Sequence, residues 1–311
     1  MASSRKPDVY SMVTDRVVEL LERGTVPWRK PWKGKNLHPC NAKTGHQYRG
    51  LNPFMLEIVR ACSGYQDHRW LTYKQAQAAG GNIRKGEKSS FVTFWQWLEV
   101  IDKETQKPKK IPLLKYFRVF NIEQTENIDE GKLRAESDVY ESTEWESIVG
   151  AEAITDGWLQ RSGLAERIQH GGNRAFYRPA DDSLQMPDQD RFGSAAEYHQ
   201  TLFHELGHST GHKSRLNRLS PDGFGSDPYA KEELIAELTA SFLAGQCGLT
   251  AETEQNSTAY IAGWLRVLKQ DKKLVASSAA AAQKAADLVL GRQWDGAAEE
   301  GATQPQLVGA T

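Results

Sequence analysis

The run His204-Glu205-Leu206-Gly207-His208 carries the residue types and spacing most able to do chemistry in this chain. On an α-helix, residues i and i+4 project from one face. Two imidazoles so placed can grip one divalent metal, and the carboxylate between them can take a proton from water held on that metal. With eight His in 311 residues, chance would produce this pattern only about 0.02 times per chain. A polar helix face with two unrelated His is the plainer reading, so the surrounding sequence has to decide.

That surrounding sequence favours a metal site. Ser194-Ala-Ala-Glu197 is a capping box, which starts a helix near Ala195. Leu202, Phe203 and Leu206 supply its apolar contacts, Gly207 permits close approach of another backbone, and Gly211 is a C-cap candidate. A catalytic zinc centre takes three protein ligands and keeps one position for water. The third ligand is expected on a second helix, Tyr229–Ala244, opened by Asp227-Pro228 and closed near Gly248. There Glu233 and Glu237 are again i and i+4. Glu233 is read as the ligand and Glu237 as the group that orients a ligand His, although spacing alone leaves the two interchangeable. The apolar flank of Leu234, Ile235, Leu238 and Phe242 argues against two solvated carboxylates, because a buried carboxylate needs a partner.

These residues resemble the gluzincin-type metallopeptidases, which pair H-E-x-x-H with an acid on a later helix. The resemblance implies peptide hydrolysis, with His204, His208 and Glu233 holding one Zn2+ or Mn2+ per chain and Glu205 as general base. Tyr198, His199, His212 and Arg215 lie close enough in sequence to supply an oxyanion stabiliser. In zincins an edge strand lines the substrate cleft, and Phe176–Arg178 or Ser183–Met186 is expected in that place.

The front of the chain has a different character. Residues 1–130 hold 22 Lys and Arg against 14 Asp and Glu, whereas the remainder holds 17 against 26. A basic half joined to an acidic half points to one part that meets a polyanion and one that does not. Trp28, Trp32, Trp70, Trp95 and Trp97 also fall in the basic half, several beside cations, as in Trp28-Arg-Lys-Pro-Trp32-Lys33. Aromatic faces for bases and cations for phosphates are the composition of a single-strand binder. The plainer alternative places Trp70, Trp95 and Trp97 in a core and leaves the lysines for solubility. Tyr48, Arg49, Lys74, Arg84, Lys85 and Lys88 join Trp28 and Trp32 as expected DNA contacts, with binding that weakens steeply with salt.

Periodicity predicts a helix over 9–23 ending at Gly24, a second near 54–60, and a third over 73–79 capped by Thr72. Residues 90–100 and 113–121 read as long strands joined through the polar stretch 102–110. The expected fold class is therefore α+β. A small basic α+β domain (1–125) is followed by an acidic linker (126–140), a mostly helical zincin-like domain (141–292) and a disordered tail (293–311). Three Cys without C-x-x-C spacing and the lack of an apolar leader or membrane-length apolar run suggest a reducing, cytoplasmic setting with no membrane partner.

Several motifs together resemble one known family. Gly24-Thr-Val-Pro27-Trp28, Gly45-His-Gln-Tyr48-Arg49-Gly50-Leu-Asn52, Trp70-Leu-Thr72-Tyr73 and Ile83-Arg84-Lys85-Gly86-Glu87-Lys88 are similar to the N-terminal domain of ArdC-type plasmid antirestriction proteins, a domain also found in some conjugative primases. The H-E-x-x-H run, Ser214-Arg-Leu-Asn-Arg218, Glu232-Glu-Leu-Ile-Ala-Glu237 and Tyr260–Asp271 extend the likeness over about residues 7–292. It implies single-stranded DNA as partner, with double-stranded DNA a weaker one, and protection of incoming plasmid DNA from restriction during conjugation. Protein substrates would be restriction or DNA-bound proteins. A DNA-coating protein acting by occlusion, with a structural or vestigial metal site, is the alternative. An accessory role to a primase ranks below both, as no primase motif is visible.

Overall fold

The computed structural model describes residues 8–26, 39–101, 107–133, 144–219, 227–249 and 258–292. Helix α1 (Val9–Glu22) starts at Asp8, whose side chain accepts the Tyr10 N–H. Its apolar positions Val13, Val17, Leu20 and Leu21 are buried. Strand β1 (Cys40–Asn41) and helix α2 (Asn52–Ser63) follow. Pro53 sits in the first turn of α2, where its missing N–H costs nothing, and Gly64 ends the helix in the left-handed region. Strand β2 (Arg69–Leu71) leads to α3 (Tyr73–Ala78), whose capping box is Thr72 with Gln75.

Strands β4 (Ser90–Ile101) and β5 (Pro108–Asn121) form the long antiparallel pair expected from the sequence, with Phe91 opposite Arg118 and Thr93 opposite Tyr116. The four-stranded sheet runs β1-β2-β5-β4. Leu56, Trp70, Val92 and Val119 pack together at its heart.

The stretch read as an acidic linker begins inside this fold. Strand β6 (Thr125–Glu126) pairs with β3 (Asn82–Ile83), and Ile128 and Leu133 pack against Leu71, Ala76 and Ile122. Gly81 makes this fit possible, since a Cβ there would lie 2.5 Å from the Glu126 carbonyl oxygen. Sequence reading missed the apolar pair because acidic residues surround it. Residues 134–140 of that stretch, and the tail 293–311, lie outside the described residues.

The second half comprises α4 (Glu144–Ser162), a three-stranded sheet and α5 to α8. Strand β9 (Ser183–Met186) is central, between β7 (Ile168–His170) and β8 (Phe176–Arg178). Helices α5 (Ala195–Ser209) and α6 (Asp227–Cys247) pack closely, α8 (Leu274–Val289) lies against both, and α7 (Thr258–Gln270) packs on α1. A single hydrophobic core contains residues of α1 and α2 together with those of α4 to α8. Helix α1 belongs to that joint core. Thr14 Oγ1 donates to the Lys272 carbonyl at 2.7 Å, and Lys269 meets Glu22. No helix among the described residues is long and apolar enough to cross a membrane.

Candidate metal centre

Ser194 accepts the Glu197 N–H and starts α5 with the register that puts His204 and His208 on one face. Helix α6 crosses that face because Gly207 presents no side chain. A Cβ at Gly207 would stand 3.1 Å from Ala236 Cα and 3.3 Å from Thr239 Cβ. Close approach brings Glu233 to the two rings. The Nε2 atoms of His204 and His208 are 3.1 Å apart, and Glu233 lies 3.6 Å from the first and 3.5 Å from the second. One ligand atom from each of these residues falls within 4.8 Å of the other two. Two imidazoles and a carboxylate so grouped suit one Zn2+ or Mn2+.

Electrostatics favour a cation at this point. Burial would push the His204 imidazole down, but the Glu233 hydrogen bond and the charges of Glu237, Glu205 and Glu233 outweigh it and raise it to about 9. Burial would likewise raise Glu233, yet His204, His208 and the Tyr229 hydroxyl hold its carboxyl below the usual range. Glu205 is buried, and its Oε2 accepts the Tyr177 N–H of β8 at 2.7 Å. Because β9 is paired on both sides, β8 is the edge strand lying beside α5.

The residue facing a ligand imidazole from behind is Glu232. It sits 3.3 Å from His208 Nδ1 and is gripped by Arg218, whose Nε donates to it at 2.9 Å. Arg218 also donates to the Gly207 carbonyl and to Thr210, so it ties the end of α5 to α6. Glu237, read as the orienter, contributes its charge to the field at His204. Helical i, i+4 spacing singles out 233 and 237 and not 232, although Glu232 and Arg218 both lie in runs that resemble the family.

Of the four residues named as oxyanion stabilisers, none has a described contact with His204, His208 or Glu233. Tyr198 bonds His170, His199 is buried against Tyr198 and Phe203, and His212 bonds Ser214. Arg215 clamps Asp182 with two bonds of 2.8 Å and covers the Trp158 ring. Tyr229, at the start of α6, is the phenol at the centre. Burial and the Glu233 charge push it up to about 12, keeping it a hydrogen-bond donor.

The residues read as DNA contacts have different surroundings. Trp28 and Trp32 lie outside the described residues. Lys74, Lys85 and Lys88 are exposed, and Arg84 pairs with Glu87. Tyr48 packs beside the Trp70 core. Arg49, half-buried, forms an ion pair with the buried Asp287 of α8. Trp70 is fully buried and therefore has no free face for a base. Nothing in the sequence near Arg49 signals a partner 238 residues away.

The α5–α6 helix pair and its flanking edge strand belong to a zincin-like metallopeptidase domain, whose family matches residues 155–282. Residues 7–120 match the N-terminal domain of anti-restriction factor ArdC. The chain thus belongs to the ArdC antirestriction family. It is 39% identical to the ArdC protein of plasmid R388 in its metal-free crystal structure, with a TM-score of 0.71 over 93% of this chain and all of that one. The Mn(II)-bound crystal structure of that protein matches with a TM-score of 0.70. DNA primase TraC of Escherichia coli is 37% identical over 93% of this chain, which spans only 28% of that relative's length. A second TraC is 36% identical, and the chain spans 20% of it. The protein y4eC of Sinorhizobium fredii is 31% identical over 95% of this chain and 97% of its own length.

Proposed function

We propose that this protein binds single-stranded DNA with little sequence preference through its front domain, residues 1–125, and carries a metal-dependent peptidase site in residues 141–292. Together these protect incoming plasmid DNA from restriction during conjugation. The observation that carries the reading is the convergence of His204, His208 and Glu233 beside a buried Glu205, on a chain of the ArdC family.

His204, His208 and Glu233 would hold one Zn2+ or Mn2+; one crystal structure of the R388 relative is Mn(II)-bound. A divalent ion held there acidifies water and polarises a carbonyl. Glu205 would take the proton of that water. One of its oxygens is anchored by the Tyr177 N–H, which leaves Oε1 for the proton and keeps the carboxylate in register with β8. An extended peptide added along β8 would place its scissile bond beside Glu205. The Tyr229 hydroxyl donates to Glu233 in this structure and would turn to the developing oxyanion once a cation holds that carboxylate. Substrates would be proteins on DNA, restriction subunits among them.

Glu205→Ala tests this reading, because it removes the base without removing a metal ligand. The variant is expected to keep one metal per chain and its single-strand affinity while losing protection of transferred DNA in a restricting recipient. Unchanged protection would establish the alternative, a coat that shields DNA by occlusion.

A further inference from the structure

An open pocket of about 400 Å3 lies between α1 and the β4–β5 pair, remote in sequence from the metal residues. Its walls include Met12, Glu87, Lys88, Phe91, Tyr116 and Arg118. Phe91 and Arg118 are directly opposed across the ladder, and Tyr116 lies two residues along β5 from Arg118, so all three project from the same sheet face. The Lys88 and Arg118 side chains are exposed, and neither forms an ion pair among the described residues. Glu87 is already neutralised by Arg84 and held by Gln124 at 2.9 Å. Two cations without an ion pair among the described residues and two half-buried rings thus share one concavity in the basic half of the chain.

We infer that this pocket is a subsite for one nucleotide of a single DNA strand, with the base against Tyr116 and Phe91 and its phosphate on Arg118 and Lys88. The inference rests on the proposal that the front domain binds single-stranded DNA, and it assigns that binding a place. The volume falls within the range of small-ligand sites, roughly 300–1,000 Å3. A patch built for bare phosphate would not carry a fixed carboxylate in its wall. Bonds from Gln124 and Arg84 hold the Glu87 carboxyl below its usual range. Its remaining lone pairs suit the amino protons on a base edge. Stacking on a tyrosine tolerates any base, whereas a carboxylate acceptor adds a preference for amino-bearing bases over thymine.

The test uses the full-length chain and fluorescein-labelled 20-mers of dC, of dT and of abasic sugar-phosphate, read by anisotropy. Tyr116→Ala should weaken dC and dT binding by roughly 5- to 150-fold, the equivalent of about 1–3 kcal/mol per stacked base, and leave the abasic strand unaffected. Tyr116→Phe should restore it. Arg118→Ala, at an exposed position, should weaken all three and lower the salt slope by about 1. Glu87→Gln should erase the preference for dC over dT. Crosslinking from a halogenated pyrimidine strand should map to residues 113–118.

If wild-type protein binds these strands and the Tyr116 and Arg118 variants bind equally well, the subsite is overturned while the DNA-binding proposal stands. If the wild type binds none of them, the parent proposal fails first. Equal loss of abasic and base-bearing strands in Tyr116→Ala would overturn the base assignment.

Discussion

Glu232 does for His208 what a metal-binding imidazole requires. With its Nδ1–H directed at a carboxylate, the ring keeps the Nε2 lone pair for the metal and a fixed orientation. Arg218 in turn holds Glu232. Glu232→Gln is expected to weaken metal binding about 10- to 100-fold with little change in melting temperature. Arg218→Met should lose metal affinity and stability together, because it also abandons the Gly207 carbonyl and Thr210. Chelator competition measures the first quantity and thermal unfolding the second. Equal affinity in wild type and Glu232→Gln would remove Glu232 from the centre. His204, Glu205, His208 and Glu233 could be read from the chain because helical repeat geometry fixes which residues share a face. Glu232 could not, since its role depends on where α5 lies relative to α6.

Helix packing decides whether the three ligand atoms meet, and Gly207 sets the spacing. Alanine there gains roughly 1 kcal/mol of helix propensity. The new Cβ would meet Ala236 and Thr239 backbone and side-chain atoms at 3.1–3.3 Å, with no flexible group to yield. Overpacking of this kind costs about 1–3 kcal/mol. Gly207→Ala is thus expected to lower both melting temperature and metal affinity, and a variant that binds metal as tightly as wild type would show that α6 can shift without moving Glu233.

The β8–β9 turn stabilises the edge strand by a different device. Asp182 has a φ of +52 and is buried, taking bonds from Arg215 and the Tyr177 hydroxyl. Burial would push its carboxyl up, but those bonds and the Arg215 charge hold it below the usual range. A depressed folded value contributes stability above the unfolded value of about 3.9, which is lost as pH falls through the folded value. Asp182→Asn keeps a residue type that tolerates the left-handed turn. It should cost about 3 kcal/mol at neutral pH, as breaking a buried pair does. It should also flatten the decline below about pH 4 in urea unfolding. An acid profile identical to wild type would exclude Asp182 as a contributor. Strands and helices were legible here through period and caps, and β4 and β5 through alternation. The pairing of β3 with β6 was not, because two-residue strands carry no period.

At the scale of the molecule, charge segregation was legible in the sequence but the shared core was not. Residue counts separate a basic half from an acidic one, yet Val13, Val17 and Leu21 of the basic half join a core with Leu268, Val275 and Ala282. The amphipathic face of α1 announces burial without naming the surface it meets. The Arg49–Asp287 pair and the Gln283 bond from the Gly50 N–H pin the same junction. Separate domains would unfold separately, whereas halves that share a core should unfold together. Leu21→Ala, at a position almost wholly buried, should cost about 2–5 kcal/mol. In a chain of this size that lowers the melting temperature by roughly 3–8 °C in one transition. Hydrogen exchange gives the sharper reading. Peptides from α5 and α6 should lose protection in step with those from β4 and β5, although Leu21 lies in neither. If only the sheet peptides responded, the core would be two cores in contact, and DNA held by the front of the chain would have no mechanical route to the metal helices.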